Sequence, residues 1–179
     1  MSDSFLEAAV ARTADLVGTA RRASAASAAA KIPSSWKPPW ERPGWPPPWE
    51  KKAMGKRLYE AAGNGDVPKA KELITSQADV TWTADDGTAA LHAAALRGRD
   101  EIVQLLIDAG ADKDHADTAR WTALHVAAGN QQDGSVQRLL DAGANTELTN
   151  DDGQTPLQLA TECRHASTIA LLSGVVDVS

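Results

Sequence analysis

The chain has 179 residues and a net charge of −6, a length that accommodates one compact domain plus an arm. Aromatic residues make up only 4% of it, so any core must be aliphatic and alanine-based. No apolar run approaches the ~20 residues of a membrane-spanning helix, and the single cysteine, Cys163, excludes an internal disulfide and fits a reducing compartment.

Residues 1–31 come first. Ser4 and Glu7 stand at capping-box spacing ahead of a stripe of Phe5, Leu6, Ala9, Val10, Leu16 and Val17. Thr13 is the polar member of that face and Gly18 weakens the pattern. The spacing predicts an amphipathic helix from about Ser4 to Ala20, followed by mostly alanine and serine. The Ala, Ser and Arg content would suit an organellar targeting peptide. Asp3, Glu7 and Asp15 oppose that and favour a helix that docks on a partner or on the rest of the chain.

Residues 32–53 form a Trp/Pro-rich arm holding seven of the nine prolines and four of the six tryptophans. Trp36-x-Pro-Pro-Trp40-Glu41 recurs nine residues later as Trp45-Pro-Pro-Pro-Trp49-Glu50. Polyproline II has three residues per turn, so Trp36 and Trp45 share one edge about 28 Å apart, and Trp40 and Trp49 another. A stiff spacer has no need of four indoles in water. An extended arm laid on a protein groove does, and proline lowers the entropy of ordering it. Likeness to the proline-rich ligands of WW-type domains is loose, because the segment lacks tyrosine.

Beyond the arm, Leu58, Leu91, Leu124 and Leu157 stand 33 residues apart, each opening an alanine-rich, helix-compatible stretch. A fixed period of this size marks stacked repeats. The second unit runs Ala89-Ala90-Leu91-His92, Gly98, Ile102-Val103, Leu105-Leu106-Ile107 and Gly110-Ala111-Asp112, preceded by Gly87-Thr88. The third repeats Thr122-Ala123-Leu124-His125, Val136, Leu139-Leu140 and Gly143-Ala144-Asn145; the fourth gives Gly153-Gln154-Thr155-Pro156-Leu157, Ile169 and Leu171-Leu172. The pattern resembles the ankyrin repeat over about residues 54–179, in four units of about 54–86, 87–119, 120–152 and 153–179. The resemblance implies an all-α solenoid in which each unit is an antiparallel helix pair followed by a hairpin-like loop.

The residues agree with that expectation. Leu91, Ala94 and Ala95 make a narrow face on the first helix, and Ile102, Val103, Leu105, Leu106 and Ile107 a broader stripe on the second. Gly98 suits a left-handed turn between the helices, and Gly110, Gly143 and Gly153 the entrances and exits of the hairpins. The first and last units depart from the pattern as caps should. In the third, Gln131 replaces the middle glycine, Gly134 a helix-favouring acid, and Ser135 interrupts the stripe, which predicts its second helix to be the weakest of the stack.

The residues offer little chemistry. His92 and His125 recur one repeat apart, roughly 10 Å in a helix stack, too far to share a zinc ion with ligands about 2 Å from its centre. In the ankyrin family this histidine bonds the nearby threonine and a backbone carbonyl, so the resemblance makes both structural. Asp85-Asp86 and Asp151-Asp152 precede glycines in turns, where aspartate caps the backbone, and lack the further oxygen ligands of a calcium loop. His115, His165 and Cys163 have no companion at catalytic or metal spacing, and no phosphate-binding loop is present. The expectation is no catalytic residue, no cofactor and no metal: a non-enzymatic interaction protein, either an adaptor or subunit whose arm wraps a neighbour, or a regulatory binder with the arm folded on its own repeats.

Charge points to the kind of partner. Residues 1–53 carry eight basic and five acidic residues (+3), residues 54–179 ten basic and nineteen acidic (−9). Acidic repeats argue against nucleic acid and for a basic or mixed protein surface. Ankyrin domains meet partners through hairpin tips and first helices, which here implies Trp82, Asp85, Asp86, Thr88, Leu96 and Arg97. Further along the same positions are His115, Thr118, Trp121, Asn130, Asp151, Asp152, Gln154 and Glu162. Trp82 and Trp121 either anchor a partner, or cover the stack's own edge or receive the N-terminal arm. An intracellular, cytoplasmic protein that is monomeric outside its complex is expected, with organellar import through residues 1–30 the lesser alternative.

Overall fold

The computed structural model describes residues 48–174, within the compact unit 39–179. The expected helix at 4–20 and Trp36, Trp40 and Trp45 lie outside the described residues.

Among the described residues eight helices follow one another: α1 (Pro48–Asn64), α2 (Val67–Thr75), α3 (Ala90–Leu96), α4 (Asp100–Asp108), α5 (Ala123–Gly129), α6 (Asp133–Asp141), α7 (Pro156–Glu162) and α8 (Ala166–Leu172). The described residues hold no strand, only isolated bridges between Thr83 and Ala89 and between Ala116 and Thr122 that close two hairpins. The fold is all-α: α1, α3, α5 and α7 pack in sequence as an inner row, and α2, α4, α6 and α8 as an outer row. No described helix is long and apolar enough to cross a membrane.

Local chemistry sets the boundaries. Pro48, whose φ suits a helix start, opens α1, and Glu50 in its first turn complements the helix dipole. Residues 48–53, expected in the extended arm, are therefore helical, and Trp49 stands on the first turn of α1, 74% exposed. Asp66 caps α2 by accepting from the Lys69 amide at 3.0 Å, and Thr122 and Thr155 cap α5 and α7.

The turn between the paired helices adopts left-handed φ in every repeat: Gly65, Gly98, Gln131 and Arg164. Glycine occupies two of these positions and a long side chain the other two, so packing on either side imposes this backbone where the residue does not favour it.

The core is the seam between the rows. Leu58, Leu91 and Leu124 are buried, as are Ile102, Val103, Leu106, Val136 and Leu139. Leu105 and Ile107 are only half-buried, narrowing the expected stripe of α4. Leu157, Leu171 and Leu172 are half-buried too, because the fourth pair is the last described layer and has a neighbour on one side only.

Ser135 corrects the sequence reading of the third repeat. It does not interrupt the core. It is fully buried, and its hydroxyl donates to Asp100 Oδ1 at 2.7 Å. Gly134 beside it is also accounted for: a Cβ there would lie 2.0 Å from Asp100 Oδ2. The two departures together form the seat of an acid from the preceding repeat.

Candidate partner-binding face

Three finger loops, residues 76–89, 109–122 and 142–155, lie side by side. The Thr118 amide donates to Asp86 O at 3.0 Å and the Asp151 amide to Ala119 O at 3.2 Å, joining each finger to the next. Within the fingers, aspartates brace the turns. Asp86 Oδ1 accepts from the Thr88 hydroxyl at 2.6 Å and the Thr88 amide at 2.9 Å, and these bonds hold its carboxyl below the usual carboxylate value. Asp117 Oδ1 accepts from the amides of Ala119 and Trp121 at 2.9 and 2.8 Å. Asp85, Asp86, Asp151 and Asp152 remain exposed.

All four histidines bond a backbone carbonyl distant along the chain, three of them in an adjacent repeat. A carbonyl only accepts, so the ring nitrogen donates. His92 Nε2 reaches Trp121 O, His125 Nε2 reaches Gln154 O, His115 Nε2 reaches Gly87 O and His165 Nδ1 reaches Ala128 O, each at 3.0 Å. Burial pushes the imidazoles of His92 and His125 below their ordinary value, which favours this neutral form.

The two equivalent histidines differ at the other nitrogen. His125 Nδ1 meets the Thr122 hydroxyl at 2.8 Å. His92 has no threonine there: its Nδ1 accepts from the Ala89 amide at 3.2 Å. Thr88 stands one residue too early and turns its hydroxyl to Asp86. Among the described residues no group of three metal-ligating side chains converges.

Between the inner helices and the fingers lies a shallow groove of about 320 Å³, floored by Tyr59, Ala93, Leu96, Trp121 and Val126 and bordered by Thr88, Asp117 and Asn130. A second depression of about 260 Å³ shares Tyr59, Ala93 and Leu96 and continues to Glu60 and Arg97. Leu96 is 44% exposed and lines both depressions.

The structure thus brings together Leu96, Trp121, Asn130 and Thr88, with Arg97 at the far end. Asp85, Asp86, Asp151 and Asp152 project from finger tips outside the groove lining, and Gln154 pairs with Glu162 at 2.6 Å on the fourth repeat. Trp82 belongs elsewhere. Its ring meets Tyr59 edge-on at 5.7 Å, and its Cβ sits where a side chain on Gly55 would go, so it joins the first finger to α1.

Sequence reasoning missed Tyr59, Ala93, Asp117 and Val126. A signal existed: Glu60, Ala93 and Val126 share one repeat position and differ in every repeat, whereas the leucine column is invariant. A position that changes from unit to unit is not constrained by the seam.

These observations describe one class of protein. The ankyrin-repeat family (three copies) matches residues 58–150 and 110–178, and the chain belongs to that family, whose repeats are protein–protein interaction modules. The chain is similar to protein phosphatase 1 regulatory subunit 27 of Homo sapiens, 38% identical over 96 residues that cover 53% of this chain and 62% of that protein. It is also similar to serine/threonine-protein kinase 12 of Arabidopsis thaliana, 42% identical over 67 residues, 37% of this chain and 14% of the kinase. Myotrophin of Xenopus tropicalis is 37% identical over 57 residues, 32% of this chain and 48% of myotrophin. The chain spans less than two thirds of each.

Proposed function

We propose that this protein is a non-enzymatic adaptor or small subunit of a larger intracellular protein assembly, and that it seats a partner of basic or mixed surface on its inner helices and fingers. The observation that carries the reading is the continuous apolar floor of Tyr59, Leu96 and Trp121. Leu96, 44% exposed, lines both depressions of that floor. The Trp/Pro arm is a second contact in this reading, supported by the exposed indole of Trp49 at its junction with α1. A regulatory binder acting through the same face is the second reading, supported by the similarity to a phosphatase regulatory subunit.

A photo-crosslinking residue at position 96 tests the face, with position 137 as control, because Gln137 is exposed on the outer helix α6. Partner adducts from 96 and not from 137 are expected. Equal adducts from both, or adducts from 137 alone, overturn the assignment.

A further inference from the structure

Resting on that reading, the geometry points to the chemistry of the occupant: an extended peptide segment that places an aliphatic or aromatic side chain over Leu96 and an arginine or lysine toward the fingers. Three observations meet here.

The first is shape. The groove and its continuation cross α1, α3 and α5 through Tyr59, Leu96 and Val126. Inner helices about 10 Å apart make this a track of roughly 20 Å, which about six extended residues span at ~3.3 Å each. A helix about 10 Å wide is a poor fit to so shallow a channel, whereas alternate side chains of an extended segment can drop into it.

The second is depth. About 320 Å³ lies at the bottom of the range for small-molecule sites, ~300–1,000 Å³. It suits one or two anchoring side chains better than an enclosed ligand.

The third is the direction of charge across the track. The fingers, residues 76–89, 109–122 and 142–155, hold nine acidic residues against Lys113 and Arg120. Asp117 lines the groove on that side. At the opposite end Glu60 and Arg97, both exposed, line the depression and offset one another. A cation on the occupant is therefore drawn to the finger side and meets no net charge at the other. The half-buried indole of Trp121 lies on the favoured side and offers a π face for it. The same polarity selects one orientation of the segment and disfavours an acidic one.

Selection of short random peptides on the intact chain tests this. Enriched sequences should pair an apolar anchor with a nearby arginine or lysine. Their synthetic versions should bind about tenfold more weakly to Leu96→Glu and to Asp117→Asn, which keeps its acceptor oxygen, and more weakly as salt rises. Both variants should melt near the wild-type temperature. Enrichment of acidic or uncharged peptides that still lose affinity with Leu96→Glu sinks the charge assignment and leaves the face intact. Peptides that bind Leu96→Glu undiminished sink the face itself. Binding that appears only when Trp36, Trp40 and Trp45 are alanine means the chain's own arm holds the groove, and an external occupant is then wrong. No enrichment on either version also overturns the proposal.

Discussion

Ser135 donates its hydroxyl to Asp100 across the junction between the second and third repeats, and the pair recurs one junction later, where Thr168 donates to Asp133. At the first junction the equivalent positions are Val67, half-buried against the hydrophobic core, and Ile102, buried within it. The junction therefore accepts either an apolar pair or an acid with a hydroxyl. A mixed pair leaves a buried polar group without its partner. Asp100→Val alone should cost about 1–3 kcal/mol. Adding Ser135→Ile should restore most of that loss. Urea denaturation of both variants is the check, and a double variant no more stable than the single one would show that the junctions are not interchangeable.

The second repeat lacks a helix cap that the third and fourth have. Thr122 and Thr155 accept from the amides of His125 and Gln158 at 3.4 and 3.3 Å, while Ala89 offers no side-chain oxygen. Ala89→Thr should raise stability by about 1 kcal/mol, read as a higher thermal midpoint. A lower midpoint would mean that the site, 7% exposed, cannot hold the added atoms.

Gly55 carries a cost that its helix position conceals. Within a helix, Gly→Ala ordinarily gains roughly 1 kcal/mol. Here the new Cβ would lie 2.5 Å from Trp82 Cβ and 2.8 Å from Asp79 O. Neither atom is the end of a flexible side chain, so Gly55→Ala should instead lose about 1–3 kcal/mol. An unchanged or higher denaturation midpoint would show that α1 and the first finger can separate without loss.

Acid should weaken the stack through its buried histidines. His92 and His125 titrate below the ordinary value of 6.5 when folded, chiefly because burial disfavours the charged ring. Unfolding restores the ordinary value, so in the window just below 6.5 the unfolded chain binds more protons. Stability is then full above about pH 6.5 and falls as pH drops beneath it. The depressed carboxyl of Asp86 adds its own loss only lower, as pH falls below the ordinary value of 3.8. His125→Gln should flatten part of the first decline, since Gln158 at the same position in the fourth repeat already receives the Thr155 amide at 2.8 Å. A variant with the full wild-type slope would assign the pH dependence to other groups.

Much of the fold was legible in the residues. The leucine column, the paired stripes and the Gly-Ala ends repeat at one period, and each corresponds to an interaction made within a unit or with its nearest neighbour. Trp49 was not legible as helical, because a proline run reads as polyproline until its last member becomes the first residue of a helix. Nor was the role of Ser135, whose acceptor lies 35 residues away. The groove was half visible: Leu96, Trp121 and Asn130 were anticipated by family position, whereas Tyr59 and Val126 were not.

The sequence by itself determined that this chain stacks helix pairs and how many, because period and polarity are properties of one unit copied along the chain. Only the tertiary structure decided which of two tryptophans lines the groove. Trp82 and Trp121 are alike as half-buried residues in hairpin segments, but Trp82 packs on Tyr59 and beside Gly55 of α1, while Trp121 lines the groove. Such packing depends on what a neighbouring element places there, and a local pattern carries no record of it.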